Sequence, residues 1–251
     1  MNLSFKYTKE DVGYLSEKKL NSIDLYLKIR KKENRILNDE EVILLPDTIS
    51  SNPNKNKWKL RKKSAVRFIK YLQKKTSKLI FLDLRCGNGW FTNMISNASI
   101  DYQVIGIDVN AIELEQAARV FKNKHVQFVD ADINEKIQIP KLDIIVLNAS
   151  SQYFPDLKKT ISTLDSYLMP KGEIHIIDSP FYKKNEIKQA KKRTLDYYTN
   201  LGFPEMTNCY YYHSFDNLVG FEILYNPKRI GFNKLIGKMD SPFYWFKKSY
   251  A

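Results

Sequence analysis

From Trp58 onward the apolar positions fall into a regular order. Ala65, Phe68, Ile69 and Leu72 recur at i, i+3, i+4 and i+7, one face of an amphipathic helix with lysines opposite. Five short apolar runs follow: Leu79-Ile80-Phe81-Leu82-Asp83, Val104 to Asp108, Val126 to Val129, Leu142 to Leu147, and Ile174 to Asp178. Helix-like segments open near Trp90 and cover Ala111 to Phe121 and Leu157 to Leu168. Pro170-Lys171-Gly172 reads as the turn before the fifth strand. Strands made almost wholly of Val, Ile and Leu leave neither face for water. They predict a mostly parallel sheet covered by helices on both sides. After Asp178 the alternation loosens. A helix is expected from Glu186 to about Thr199, ended by Asn200-Leu201-Gly202, and Phe221 to Tyr225 and Phe243 to Phe246 are two further strand candidates.

The first 56 residues carry less pattern. Ile23 to Ile29 fits a short helix, and Glu41 to Leu45 a short strand or packed extended piece before Pro46. The stretch SNPNKNK, 51 to 57, has no apolar anchor and reads as an exposed linker. This divides the chain into an N-terminal extension, 1–56, partly irregular, and a domain over 57–251. Around 182–220 that domain carries a small aromatic-rich C-terminal cap. There is no internal repeat and no low-complexity tract.

A hydrophobic content of 43% over 251 residues is enough for a buried core and excludes wholesale disorder. The net charge of +13 is unevenly placed. Residues 57–75 hold nine Lys/Arg and no acid, whereas residues 1–56 hold ten bases and nine acids. Smaller excesses lie at 183–193 and 228–248. Such a face attracts an anionic substrate or nucleic acid, or is simply the solvated side of lysine-rich helices; charge alone does not choose. Cys86 and Cys209 are too few for a disulfide scaffold or a four-cysteine zinc site. No apolar run is long enough to span a membrane, and the amino end has no signal-like core, so a cytoplasmic protein is expected.

The chemistry concentrates where strands end. Asp83-Leu84-Arg85-Cys86-Gly87-Asn88-Gly89-Trp90 closes the first strand. Gly87 and Gly89 permit a tight turn and close backbone approach to a ligand, and the helix that follows offers unpaired N–H groups. Asp108 ends the second strand 19 residues beyond Gly89, placed to accept from a ribose hydroxyl pair. Asp132, after the third strand, is placed to reach an adenine amino group. A dinucleotide enzyme would use the same strand, loop and acid, but Thr92 stands where its third glycine belongs, which disfavours an NAD(P)-dependent oxidoreductase. No G-x-S-x-G elbow, P-loop or metal-ligand spacing occurs.

With these five strand ends in order, the chain resembles the class I S-adenosylmethionine-dependent methyltransferases of small-molecule type. Phe81-Leu82-Asp83-Leu84 and Cys86 to Trp90 match their first motif, Val104 to Asp108 the second, Val126 to Ile133 the third, Leu142 to Val146 the fourth strand, and Leu168 to Glu173 the turn before strand five. The resemblance implies a Rossmann-like α/β fold: a seven-stranded mostly parallel sheet with the last strand antiparallel between the fifth and sixth. It implies S-adenosylmethionine as cofactor, held by Asp83, Arg85, Cys86, Gly87, Asn88, Gly89, Asp108, Val109, Asp132, Ile133 and Asn148. It also implies in-line methyl transfer to a small-molecule or lipid-like acceptor, in which proximity and orientation suffice. Candidate groups above the strand ends are Tyr153, Tyr182 and His213, within an acceptor surface rich in tyrosine (Tyr197, Tyr198, Tyr210, Tyr211 and Tyr212). The departure is Arg85, which replaces the first loop glycine; Lys171 is a milder one. If Arg85 closes the methionine end of the pocket, the chain is a non-catalytic binding module. The basic face keeps an RNA, DNA or protein acceptor as a further alternative. Oligomeric state is not legible.

Overall fold

The computed structural model describes residues 3–15, 22–75, 77–227 and 240–250. The strands are β1 (Tyr7–Lys9), β2 (Val12–Tyr14), β3 (Leu79–Leu84), β4 (Tyr102–Asp108), β5 (Val126–Asp130), β6 (Leu142–Asn148), β7 (Leu168–Ile177), β8 (Phe181–Tyr182), β9 (His213–Ser214), β10 (Glu222–Tyr225) and β11 (Trp245–Ser249). The α-helices are α1 (Ser22–Lys32), α2 (Asp39–Val42), α3 (Lys55–Leu72), α4 (Trp90–Ser96), α5 (Ala111–Val120), α6 (Leu157–Asp165) and α7 (Ile187–Leu201).

Nine strands form the main sheet, in the order β1-β2-β5-β4-β3-β6-β7-β11-β10. The expected seven are its last seven. β3, β4, β5, β6 and β7 pair in parallel, and β11 lies antiparallel between β7 and β10. The strand count of seven is therefore corrected. Residues 7–14 add a hairpin at the edge, with β2 parallel to β5. Its two-residue loop, Glu10-Asp11, takes positive φ at both positions (49° and 61°), the twist-matching geometry that Asn-Gly usually supplies. Tyr7 and Tyr14 stack across it at 4.5 Å.

Adjacent residues of each central strand serve opposite cores, as a period of two requires. Phe81, Val104, Phe128 and Ile144 pack with Ala65, Phe68 and Leu72 of α3 and with Phe91, Ile95, Leu114 and Ala117 of α4 and α5. Leu82, Ile105, Val129 and Ile145 pack on the other side with Leu157, Ile161 and Leu164 of α6. Burial on both faces explains the uninterrupted apolar runs. A third cluster ties α1 to α7 and the segment beyond it through Ile29, Tyr198 and Met206.

Three local expectations change. Glu41 to Val42 is helical, because Asn38 and Glu41 form a reciprocal capping box that starts α2. The 51–57 stretch is no free linker: α3 already begins at Lys55, and Asn52 is buried. The 56/57 division thus runs through α3. Pro170-Lys171-Gly172 lies within β7 as an irregularity in its pairing with β6, with Lys171 at φ 64°. Gly202 ends α7 in the left-handed conformation, as read from the sequence. The connection between β10 and β11 lies largely outside the described residues.

Candidate functional site

The chain order reverses between β3 and β6, and the crevice at the carboxyl ends of such strands is where doubly wound sheets bind ligands. A cavity of about 410 Å³ opens there. One wall comes from the ends of β3, β4 and β6 and the loop after β5. The other comes from α1, α3 and the segment after α7.

The residue following each of β3, β6 and β7 holds a left-handed backbone without being glycine: Arg85 at φ 62°, Ala149 at 54° and Asp178 at 51°. Each such residue costs on the order of 1–3 kcal/mol; Arg85 and Ala149 line the cavity, whereas Asp178 lies outside the lining. At Arg85 it is fixed by two bonds, since the amides of Arg85 and Cys86 both donate to the Ile107 carbonyl (2.7 and 3.1 Å). The arginine thus holds a left-handed conformation that glycine adopts without a Cβ penalty. Its guanidinium lies over the Phe154 ring, 5.5 Å away, and the cavity stays open beside it.

The two loop glycines do different work. A Cβ on Gly87 would meet nothing closer than Glu113 Oε2 at 3.5 Å, so its freed side faces the cavity. A Cβ on Gly89 would fall 2.6 Å from the Phe128 ring and 2.8 Å from Ala117 Cβ. Gly89 therefore serves helix–strand packing, and among the cofactor residues expected from the sequence it is one that does not line the cavity. Ile133 is the other, buried in the core facing α6.

Asp108 organises the loops around it. Its Oδ1 accepts from the Val109 and Asn110 amides (2.7 and 3.0 Å) and its Oδ2 from the Gly87 amide (2.8 Å). Asp83 accepts from Thr92 Oγ1 at 2.7 Å, yet burial pushes its carboxyl up to about 7. Burial and the adjacent Asp108 do the same to Glu113, also to about 7. Cys86 is buried, which raises its thiol and leaves it a small packed wall residue. Asn88, Val109, Asp132 and Asn148 line the cavity, and Asp132 accepts from the Asn134 amide at 3.0 Å. Asp143, by contrast, accepts from the Ile80 amide at the far end of β3.

Of the acceptor-side candidates, Tyr153 alone lines the cavity, and its hydroxyl accepts from Arg30 Nη2 at 2.9 Å. Tyr182 sits in the small parallel pair β8–β9, outside the lining. His213 is buried with Nε2 3.0 Å from the Ser151 carbonyl, and burial lowers its basicity. Of the other cap tyrosines, Tyr211 reaches the cavity. The sequence reading missed the N-terminal wall: Tyr26 and Arg30 of α1, Lys57, Trp58 and Arg61 of α3. Lys57, Trp58 and Arg61 stand on adjacent turns of one helix face, a spacing legible in hindsight. It also missed Glu113, three residues after the helix-starting Asn110.

Two buried acceptors in this lining, Asn110 Oδ1 and Asn148 Oδ1, have no hydrogen-bond partner among the described residues. Unpartnered buried acceptors beside carboxylates fit a ligand rich in hydroxyl and amino donors. Across the cavity, guanidinium and ammonium groups fit a carboxylate. S-adenosylmethionine presents both kinds of group. Among the described residues, no three His, Cys, Asp or Glu side chains gather as a metal site, and no helix is long and apolar enough to cross a membrane.

Residues 75–222 match a family described as a methyltransferase domain. The chain is 32% identical over 96 residues to the malonyl-[acyl-carrier protein] O-methyltransferase of Acetivibrio thermocellus, covering 38% of this chain and 34% of that one. It is 31% identical over 113 residues to the trans-aconitate 2-methyltransferase of Yersinia pseudotuberculosis, 43% of each. The match thus spans well under half the length of these curated relatives. Among solved structures, magnesium protoporphyrin IX methyltransferase from Synechocystis PCC 6803 with bound SAH superposes at a TM-score of 0.58, with 15% identity. It covers 91% of this chain and 100% of that one. That likeness is one of fold.

Proposed function

The chain belongs to the methyltransferase-domain family, and on that footing we propose that it transfers a methyl group from S-adenosylmethionine to a small-molecule acceptor. The observation that carries the reading is one cavity at the sheet's reversal point, with Asp83, Gly87 and Asp108 on one wall and an aromatic, cationic wall opposite. Asp108 and the unpartnered Asn110 and Asn148 oxygens would accept from ribose hydroxyls and the amino-acid ammonium. Asp132 would take the adenine edge, and Arg85 lies on the loop nearest the amino-acid end.

When bound, S-adenosylmethionine supplies a methyl group on a positively charged sulfur that leaves as a neutral thioether. The protein's task is then alignment and exclusion of water, worth several kcal/mol of barrier when the geometry is near attack. Tyr153 is a cavity hydroxyl available to orient an acceptor, since Arg30 donates to its oxygen and leaves its own proton free. His213 is buried against the Ser151 carbonyl and Tyr182 lies outside the cavity lining, so neither is placed to act as the base, and none is required for an acceptor that attacks as an anion.

A small acceptor is favoured over nucleic acid because the bases of 57–75 do not make one face. Lys62 pairs with Asp47, Arg67 with Asp240 and Lys75 with Glu173, while Lys57 and Arg61 turn into the cavity. The relative named for trans-aconitate agrees with that choice. Titration calorimetry with S-adenosylmethionine, S-adenosylhomocysteine and NADH tests the reading. Binding of both adenosyl compounds and not of NADH is expected; heat with NADH alone would overturn it.

A further inference from the structure

We propose that the acceptor carries a negatively charged group, a carboxylate or phosphate, received by Arg61 and Lys57 beside the Trp58 ring; this rests on the methyl-transfer reading of the same cavity. α3 turns Lys57, Trp58 and Arg61 toward the cavity, and the Arg61 guanidinium lies over the indole at 5.1 Å. Arg61 makes no ion pair among the described residues; burial and the nearby Arg35 and Arg30 charges push it below its ordinary value against the opposing pull of Asp178, which Ser64 and Ser241 hold. Arg85, across the cavity, has no ion pair either. Arg30 and Arg35 share one carboxylate, Glu33, at 2.5 and 3.4 Å. The Arg30 Nε is buried without a partner.

Pairing, rather than net charge, then decides. Five cationic side chains line the cavity: Arg30, Arg35, Lys57, Arg61 and Arg85. Glu33 serves two of them. Four carboxyls line the cavity as well, and each has partners of its own: Asp108 three backbone amides, Asp83 Thr92, Glu113 the Asn110 side chain and Asp132 Asn134. The cofactor brings one carboxylate, but also an ammonium and a sulfonium, so its arrival adds net positive charge. One carboxylate cannot satisfy the remaining guanidiniums. Half-buried guanidiniums without counter-ions, such as Arg61 and Arg85, carry a desolvation cost, and an acceptor anion offsets it while the Trp58 and Tyr26 rings cover its apolar body.

The test uses the full chain saturated with S-adenosylhomocysteine. Benzoate, phenyl phosphate and the neutral benzamide are titrated separately by calorimetry at two salt concentrations. At least tenfold tighter binding of one or both anions than of benzamide, weakened by salt, is expected, and the two anions distinguish carboxylate from phosphate. Arg61→Gln should lose about tenfold of that affinity and Arg61→Lys should regain part of it, with S-adenosylhomocysteine affinity changed less than threefold in both. Equal binding of benzamide and the anions overturns the proposal. So does an Arg61→Gln loss as large for S-adenosylhomocysteine as for the anion, which would make Arg61 the cofactor's anchor. If S-adenosylhomocysteine fails to bind the wild type, methyl transfer fails on its own, and the anion preference is read from the same titrations without it.

Discussion

The Gly87 amide donates to Asp108 Oδ2 at 2.8 Å, so the loop after β3 is held by the acid that ends β4. With Oδ1 shared by Val109 and Asn110, three of roughly four lone-pair positions on this carboxylate are filled by backbone. Asp108 is thus a structural brace with one acceptor position left for a ligand hydroxyl.

Asp108→Ala should therefore lose stability as well as cofactor affinity. Three amides would be left without a partner, at about 1–3 kcal/mol for each that water cannot reach. Urea unfolding should show a lower midpoint at unchanged slope, and calorimetry at least a tenfold weaker S-adenosylhomocysteine. Loss of affinity at full stability would contradict the brace.

The two glycines should separate by readout. Gly89→Ala drives a methyl group into Phe128 and Ala117 at φ 74° and should destabilise by about 2–4 kcal/mol. Gly87→Ala would meet only an ordinary contact with Glu113, so it should cost only about 1 kcal/mol in stability from its φ of 55° while weakening cofactor binding more than Gly89→Ala does. The comparison needs only unfolding curves and one titration for each variant.

Cofactor binding should be linked to proton release. Burial holds the Asp83 and Glu113 carboxyls near 7 in the free protein, so each is partly protonated at neutral pH. A cationic ligand beside them favours the ionised forms and lowers both values. Affinity for S-adenosylmethionine should then rise as pH increases from 5.5 to about 7.5 and level off above. Calorimetry in buffers of different ionisation enthalpy reads the released protons directly; a flat profile would dismiss the linkage.

Acid stability should depend on the buried pair Glu173–His175. Burial alone would raise the Glu173 carboxyl, but bonds from His175, Lys75 and Tyr71 override it and hold it at about 2. Its contribution is present above the unfolded value near 4.5 and is lost as pH falls toward 2. Burial lowers His175, whose Nδ1 accepts from Trp245 Nε1 at 3.0 Å, so its contribution is present above about 6.5 and is lost as pH falls below it. Glu173→Gln should flatten the fall in stability between pH 4.5 and 2 relative to wild type, as followed by urea midpoints.

Arg85→Gly should leave stability unchanged or raise it by up to about 1 kcal/mol, because relief of the left-handed penalty competes with added unfolded-state entropy. Arg85→Val, β-branched at φ 62°, should lower it. A marked loss in the glycine variant would mean that the guanidinium's contact with Phe154 holds the loop.

The central sheet was legible because strands buried on both faces have a composition that other structures rarely share. Asp83, Gly87 and Asp108 were legible because each follows such a run. The hairpin at 7–14 was not, since Glu-Asp is a poor marker for a turn with two positive φ values and Val12-Gly13-Tyr14 is too short to show a period. Nor were the N-terminal walls of the cavity. Arg61 looks like any other base in a lysine-rich helix until α3 is seen to carry Ala65 and Phe68 into the core and the preceding turn into the cleft. His213 misled in the opposite sense: proximity in sequence to a tyrosine cluster says nothing about which way the ring points.

Tyr26, Arg30, Lys57, Trp58 and Arg61 all precede residue 75, where the match to the methyltransferase-domain family begins. If the acceptor is received on that wall, part of the choice of reactant is written outside the stretch that matches the family, while Tyr153 and Tyr211 contribute from within it. On that reading, drift or recombination in the leading segment could shift which compound is accepted without disturbing the family-matching part of the cavity.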